Sequence, residues 1–222
     1  MNYIDFLNQK NIIIPPSGFE VNRLNSGLFD FQNDIVKWAL KRGRAAIFAG
    51  TGLGKSFMEL SWADQIAKET KGKVLILTPL AVAAQMKREA NKFGIECEHV
   101  HEQGNAPIQI TNYQKLEKFD LSKFSGVVLD ESSILKNFNG HYRTQLINDC
   151  KIIPYRLAAT ATPSPNDYME LGNHAEFCGI MSYTDMLSTF FVHDGSETQQ
   201  WIDKVSSVRF CLSNYTTRSR RG

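Results

Sequence analysis

The residues with the clearest chemical potential are Ala49-Gly50-Thr51-Gly52-Leu53-Gly54-Lys55-Ser56. Gly50, Gly52 and Gly54 permit the tight, partly left-handed backbone that lets successive N–H groups point inward at phosphate oxygens. A helix starting at the loop adds its positive dipole end. Lys55 is a mobile cation for the outer phosphates of a nucleoside triphosphate, and Ser56 offers a hydroxyl to Mg²⁺. Thr51, Gly52, Leu53, Gly54, Lys55 and Ser56 together form the expected triphosphate cradle. A plain glycine turn between a strand and a helix would explain the glycines, but not the Lys-Ser pair that closes them.

Two further groups of polar residues follow apolar runs. Asp130-Glu131 ends the run at 126–129. Adjacent carboxylates repel, so their pairing suggests chemistry in which the first holds Mg²⁺ and the second orients and deprotonates an attacking water. A helix start decorated with acids is the simpler alternative. Thr160-Ala161-Thr162 follows the run at 155–159, and its hydroxyls can hydrogen-bond the acidic pair, although taken alone it reads as a turn. Upstream, Gln32 carries an amide able to pair with both the donor and the acceptor of an adenine edge. A glutamine on a helix is otherwise usually solvated, so position gives this one its weight.

The elements that must hold these residues are legible from apolar patterning. Residues 45–49, 73–78, 108–111, 126–129 and 155–159 read as short strands, with another at 97–100. The continuous apolar run at 73–78 suits a parallel sheet covered on both faces. Helices are expected from 29 onward, at 57–68, at 81–93 and at 184–191, with a short one at 4–9 and an extended segment at 12–16 before the prolines. In the first long helix, Phe31, Ile35, Trp38 and Ala39 share one face. Strands alternating with helices predict an α/β fold with a mostly parallel sheet. Every polar motif follows the carboxyl end of a strand, where open α/β sheets place ligands.

Composition excludes little but points consistently. The chain has 222 residues, 42% hydrophobic and 22% charged, with a formal net charge of +2. That charge is too small to specify a nucleic-acid partner by itself. No stretch nears the ~20 apolar residues of a membrane helix, and the start lacks the basic and apolar regions of a secretory signal. Cys97, Cys150, Cys178 and Cys211 form no C-x-x-C pair, which reads as buried thiols in a reducing cytosol. His99 and His101 share a strand face without a third ligand at metal-binding spacing. Residues 206–222 contain Arg209, Arg218, Arg220 and Arg221 and no acid, which reads as a flexible basic tail.

The ordered set Phe31-Gln32, Ala49 to Ser56, Leu77-Thr78-Pro79, Ile110-Thr111-Asn112-Tyr113, Asp130-Glu131-Ser132-Ser133 and Thr160-Ala161-Thr162-Pro163 resembles the first RecA-like domain of superfamily 2 helicases. Ile134-Leu135-Lys136-Asn137, Thr162-Pro163-Ser164-Pro165-Asn166 and Met169-Glu170-Leu171 look like the Snf2-like branch, including phage-encoded DEAD/DEAH-type helicases. The resemblance spans roughly residues 29–190. It implies a three-layer RecA-like phosphate-loop domain that binds ATP and Mg²⁺. Gln32 would read adenine, and Lys55, Asp130 and Glu131 would be catalytic. Ser56 and Asp130 would hold the metal, and Thr160 and Thr162 would couple hydrolysis to movement. Thr78, Pro79 and Thr111 would lie along a nucleic-acid backbone, DNA or else RNA.

Ser132-Ser133 departs from the Ala and His or Asp usual in that family. The resemblance also implies a domain organisation: an N-terminal extension at 1–28, the ATP-binding domain at 29–178, a helical extension at 179–205, and the tail. About 40 residues follow the domain ending at 178, fewer than the ~100–150 of a second domain. The expectation is therefore a motor domain, either truncated or completed by a second RecA-like domain from another chain, that binds nucleotide but turns it over poorly alone. The location implied is cytoplasmic, the host's cytoplasm if phage-encoded. The competing reading is a non-catalytic nucleic-acid-binding or regulatory module that keeps the ATPase fold.

Overall fold

The computed structural model describes residues 14–137, 140–164, 168–193, 201–203 and 216–219. The elements expected at 4–9 and 12–13, and Arg209, Cys211, Arg220 and Arg221, lie outside the described residues.

Helix α1 (Asp30–Arg42) leads into β1 (Arg44–Ala49), and the glycine loop leads into α2 (Lys55–Thr70). Then come β2 (Lys73–Thr78), α3 (Ala83–Lys92), β3 (Glu98–His99), β4 (Ile108–Asn112) and β5 (Phe124–Asp130). Helix α4 (Gly140–Cys150), β6 (Tyr155–Thr160), α5 (Leu171–Phe177) and α6 (Tyr183–Phe190) follow. A two-stranded antiparallel pair, β7 (Phe191–His193) with β8 (Trp201–Asp203), and a final strand β9 (Thr216–Ser219) complete the described elements. Short 3₁₀ turns fill Tyr113–Lys118, Leu121–Lys123, Ser132–Asn137 and Tyr168–Glu170.

The main sheet runs β3-β4-β2-β5-β6-β1-β9, and every neighbouring pair in it is parallel. Parallel strands need crossovers, and the helices supply them on both faces. One face packs α1, α2 and α3 around Ile47, Ile76, Val128 and Trp62, and the other packs α4, α5 and α6 around Leu75, Leu77, Val127 and Phe177. Burial on both sides explains why β2 and β5 read as unbroken apolar runs. Thr216–Ser219, within the stretch read as a tail, aligns with Ala46–Ala49 along the outer edge of β1.

The face of α1 needs correction. Its buried residues are Gln32, Ile35, Val36, Ala39 and Leu40. Phe31 is 39% exposed and stacks on Phe29, with ring centroids 6.2 Å apart. The apolar stripe is thus displaced by one residue, which carries Gln32 inward. Helix α4 and the turn-and-helix at 168–177 have no counterpart among the elements expected from patterning. Among the described residues no helix is long and apolar enough to cross a membrane.

Candidate nucleotide-binding site

The glycine loop sits between the carboxyl end of β1 and the first turn of α2. Gly52 and Gly54 have φ of +77° and +74°, the left-handed region that glycine enters without strain. Gly54 is also the residue that caps α2. Gly50, Thr51, Gly52 and Gly54 face solvent, and Leu53 tucks inward to anchor the loop on the core. Nothing lies within 4 Å of the position a Gly52 side chain would take. The loop therefore leaves an open concavity bounded by backbone at the start of a 16-residue helix. Those features fit a phosphate group.

Lys55 and Glu131 meet across this concavity, with Nζ 3.8 Å from Oε1. The Lys55 side chain is only 10% exposed, so its ammonium is held in place rather than waving in solvent. Ser56 lies half-buried in the same first turn of α2. Asp130 ends β5 in the middle of the sheet and is 4% exposed. Its carboxylate accepts a hydrogen bond from Thr78 Oγ1 at 2.6 Å, and its main-chain carbonyl accepts one from the Tyr113 hydroxyl at 2.7 Å. Burial pushes the Asp130 carboxyl upward, the Thr78 bond pulls it back, and the neighbouring Glu131 adds to the rise.

Glu131 has φ of +50°, a left-handed conformation unusual for a residue with a side chain. Its carbonyl accepts from Ile134 N at 2.9 Å, which starts the 3₁₀ turn. The adjacent acids have different surroundings: Asp130 is 4% exposed, and the Glu131 side chain is 39% exposed. Glu131 Oε2 accepts from Thr160 Oγ1 at 3.3 Å, and Thr160 Oγ1 accepts from Thr162 N at 3.1 Å. Thr162 Oγ1 lies 3.5 Å from Ser133 Oγ. Lys55, Asp130, Glu131, Thr160 and Thr162 are thus brought together at the carboxyl ends of β1, β5 and β6.

Gln32 is also part of this assembly, by a route the sequence did not disclose. Its Nε2 donates to Leu53 O at 2.9 Å, and its Oε1 accepts from Phe29 N at 3.0 Å. It ties the start of α1 directly to the phosphate loop. An amide has two donor hydrogens and two acceptor lone pairs, so one of each remains beyond these bonds. The stacked Phe29 and Phe31 rings are exposed beside it.

Two expectations are corrected. Thr78 and Thr111 are both fully buried, so neither hydroxyl lies on a surface where nucleic acid would run. Thr78 instead serves Asp130, to which its hydroxyl donates. Pro79 is half-buried, and the next residue, Leu80, is 65% exposed.

Three residues of the site region have contacts that the sequence did not disclose. Glu59, one turn beyond Lys55 on α2, is fully buried, and among the described residues neither carboxyl oxygen has a hydrogen-bond partner. Burial first, then the charge of Asp130, pushes its carboxyl well above the usual range. An acid among Phe57, Met58 and Leu60 was the only hint in the sequence. Ser132 Oγ donates to Ala159 O at 3.3 Å and sits 2.9 Å from His174 Nε2. His174 packs edge-on against Phe48, and burial lowers its imidazole to about 4. Ser132, which departs from the family pattern, therefore joins the acidic turn to β6 and α5.

No curated protein matches the sequence. Solved structures do match the fold. The SWI2/SNF2 ATPase core of Sulfolobus solfataricus in complex with dsDNA aligns with a TM-score of 0.69 at 20% identity, covering 94% of this chain and 46% of that one. The UvsW helicase from bacteriophage T4 aligns with a TM-score of 0.56 at 17% identity, over 82% of this chain and 66% of that one. The Hef helicase domain of Pyrococcus furiosus gives 0.57 at 17% identity, over 69% and 37%. The chain spans about half the length of the SWI2/SNF2 core it matches. The family model for the type III restriction enzyme res subunit, ResIII, matches residues 25–165, well over half of the chain. By that match the chain belongs to the ResIII family, and its fold is the RecA-like fold shared with those ATPase and helicase cores.

Proposed function

We propose that this domain binds ATP with Mg²⁺ and is the ATP-hydrolysing half of a DNA helicase or translocase. The observation that carries the proposal is the convergence of Lys55 and Glu131 at 3.8 Å across an open glycine loop, with a hydrogen-bonded, buried Asp130 beside them. In this reading the loop N–H groups from Thr51 to Ser56 hold phosphate oxygens, and Lys55 neutralises charge on the outer ones. Mg²⁺, held by Ser56 and Asp130, would supply further positive charge to the phosphates. Glu131, turned out of line with Asp130 by its left-handed backbone, orients a water and accepts its proton. Thr160, bonded to Glu131, senses that carboxylate and passes its position to Thr162. Gln32 reads the adenine edge with the donor and acceptor it has left, and the same side chain braces the loop.

The dsDNA bound to the SWI2/SNF2 core supports DNA as the polymer, with RNA as the other candidate. Contact would fall on the loop after β2, at Pro79 and Leu80, through backbone groups that do not read sequence. An arginine finger from a second RecA-like domain is worth ~10³–10⁵ in rate. Assayed without such a domain, these residues are expected to bind nucleotide and hydrolyse it slowly. Calorimetry with ATP and Mg²⁺ tests the core of this reading: Lys55→Ala should abolish measurable binding, whereas Glu131→Gln should keep it. Unchanged affinity in Lys55→Ala ends the nucleotide reading. Fast steady turnover by the wild-type chain ends the claim that it needs a partner domain.

A further inference from the structure

A cleft of about 640 Å³ lies between the 3₁₀ turns that join β4 to β5 and helix α4, which joins β5 to β6. Pockets of ~300–1,000 Å³ hold small ligands, and hollows that take an anchor side chain form the centre of many protein interfaces. None of the residues assigned above to nucleotide, metal or nucleic acid lines this cleft. Its floor is apolar: Leu116, Phe119, Leu121 and Leu146 line it and belong to the core of that face of the sheet. Ile152 lines it too, yet is 64% exposed, so the apolar surface runs out of the cleft onto the outside of the molecule. A small molecule enclosed by the cleft would leave that side chain in water, whereas a second protein would cover it.

The walls are acidic. Glu117 and Asp149 line the cleft from the two elements that bound it, the turn at 113–118 and α4. Burial first, then Glu117 and Asp149, push the Tyr142 hydroxyl up, so both carboxylates bear on one point of the wall. Among the described residues neither carboxylate takes part in an ion pair, and no lysine or arginine lines the cleft. Lys118 follows Glu117 in the chain without lining it. Three further lysines beside these turns are engaged: Lys115 contacts His101, Lys123 pairs with Asp120, and Lys151 bonds Asn148 and Glu176. The wall is also fixed in place. Tyr142 donates to the Tyr113 carbonyl at 2.7 Å, and Tyr113 in turn donates to the Asp130 carbonyl. A preformed, negatively charged hollow with an apolar floor repels nucleic acid and favours a cation.

We propose that this cleft docks a short segment of a partner protein in which apolar side chains stand beside a lysine or arginine. The apolar side chains fill the hollow over Leu116, Phe119 and Leu146 and cover Ile152, and the cation sits against Glu117 and Asp149. Charge complementarity of this kind selects the partner and speeds encounter more than it adds affinity. Docking there does not depend on the nucleotide reading, since the cleft shares no residue with it.

Fluorescence anisotropy with the whole chain tests this. The probes are labelled hexapeptides of leucine with two arginines at varied spacing. Each is matched by a version with citrulline, which keeps the shape of arginine and loses its charge. The proteins are wild type, Ile152→Ser, and the double variant Glu117→Gln with Asp149→Asn. All three positions are exposed, so the fold should persist, and circular dichroism checks it. At least one arginine peptide should bind wild type below about 1 mM. The double variant should weaken that peptide about threefold or more, while its citrulline version should bind wild type and double variant alike. Ile152→Ser should weaken both versions by the same factor. Phenethylamine that competes at the peptide's own affinity would assign a small organic cation and overturn a protein partner. A loss in the double variant with none in Ile152→Ser also overturns the proposal, since the charges would then act without the apolar seat. Arginine peptides that bind all three proteins equally, or that fail to bind wild type at about 1 mM, overturn it as well.

Discussion

Thr78 offers the sharpest test of how the acidic pair is built. Its hydroxyl is fully buried and donates to Asp130 at 2.6 Å, and Asp130 itself is 4% exposed. Valine has nearly the shape of threonine, so Thr78→Val removes the donor without opening a cavity. A hydrogen bond to a charged group contributes about 1.5–3 kcal/mol, and more is lost when the abandoned partner stays buried. With Asp130 only 4% exposed, water can replace the lost donor only in part. We therefore expect Thr78→Val to lower the unfolding free energy by about 2 kcal/mol in urea titration. Thr78→Ser, which keeps the hydroxyl, should lose less than half of that. If Thr78 also fixes the Asp130 carboxylate for Mg²⁺, a comparable loss should appear in nucleotide affinity. At about 1.4 kcal/mol per factor of ten, that is about tenfold or more in calorimetry with ATP and Mg²⁺. A Thr78→Val protein within about 0.5 kcal/mol of wild type would refute the reasoning, because the bond would then carry no net energy.

Two further outcomes follow from the same geometry. His174 is held neutral, its imidazole lowered from 6.5 to about 4, so the unfolded chain takes up a proton before the folded one as the pH falls. Stability should be intact above about pH 6.5 and fall by about 3 kcal/mol on the way to about pH 4; His174→Asn should flatten that part of the profile in denaturation series, and an unchanged slope would assign it to other groups. At Gly54 the backbone is left-handed and an added side-chain carbon would lie 2.4 Å from Gln32 Nε2. Gly54→Ala should therefore cost about 1–2 kcal/mol in backbone strain alone, and should release Gln32 from Leu53, seen as weakened ATP binding without loss of fold by circular dichroism.

What the sequence could reveal depended on where burial made the pattern simple. Strands β1, β2, β5 and β6 are covered on both faces, so apolar residues run through them unbroken and their ends fall at Ala49, Thr78, Asp130 and Thr160. The turn at 50–54 was legible because its left-handed backbone calls for glycine at Gly52 and Gly54. The misreadings come from polar residues buried by tertiary partners. Thr78 and Thr111 look like surface positions in any local window, and only the packing of neighbouring strands hides them. Helix α5 escapes patterning because Asn173 and His174 are buried polar residues, and the contact of His174 with Ser132 spans 42 positions. Helix α4 buries only Leu146, Ile147 and Cys150, too sparse a stripe to stand out. Gln32 is visible in the sequence but its bond to Leu53 is not, since the phase of α1 decides which side chains turn inward.

The strand order carries a consequence for how the molecule is made. Beside β1, between it and β5, stands β6, whose register pairs Arg44 with Arg156. As a nascent chain is extended, β2, β4 and β5 can all associate while the place next to β1 is still vacant. Glycine loop and acidic pair cannot come face to face until residues 155–160 have been synthesised and inserted between them. Long-range pairings of this kind form late and slowly, so the proposed nucleotide site should be among the last features the domain completes as it folds.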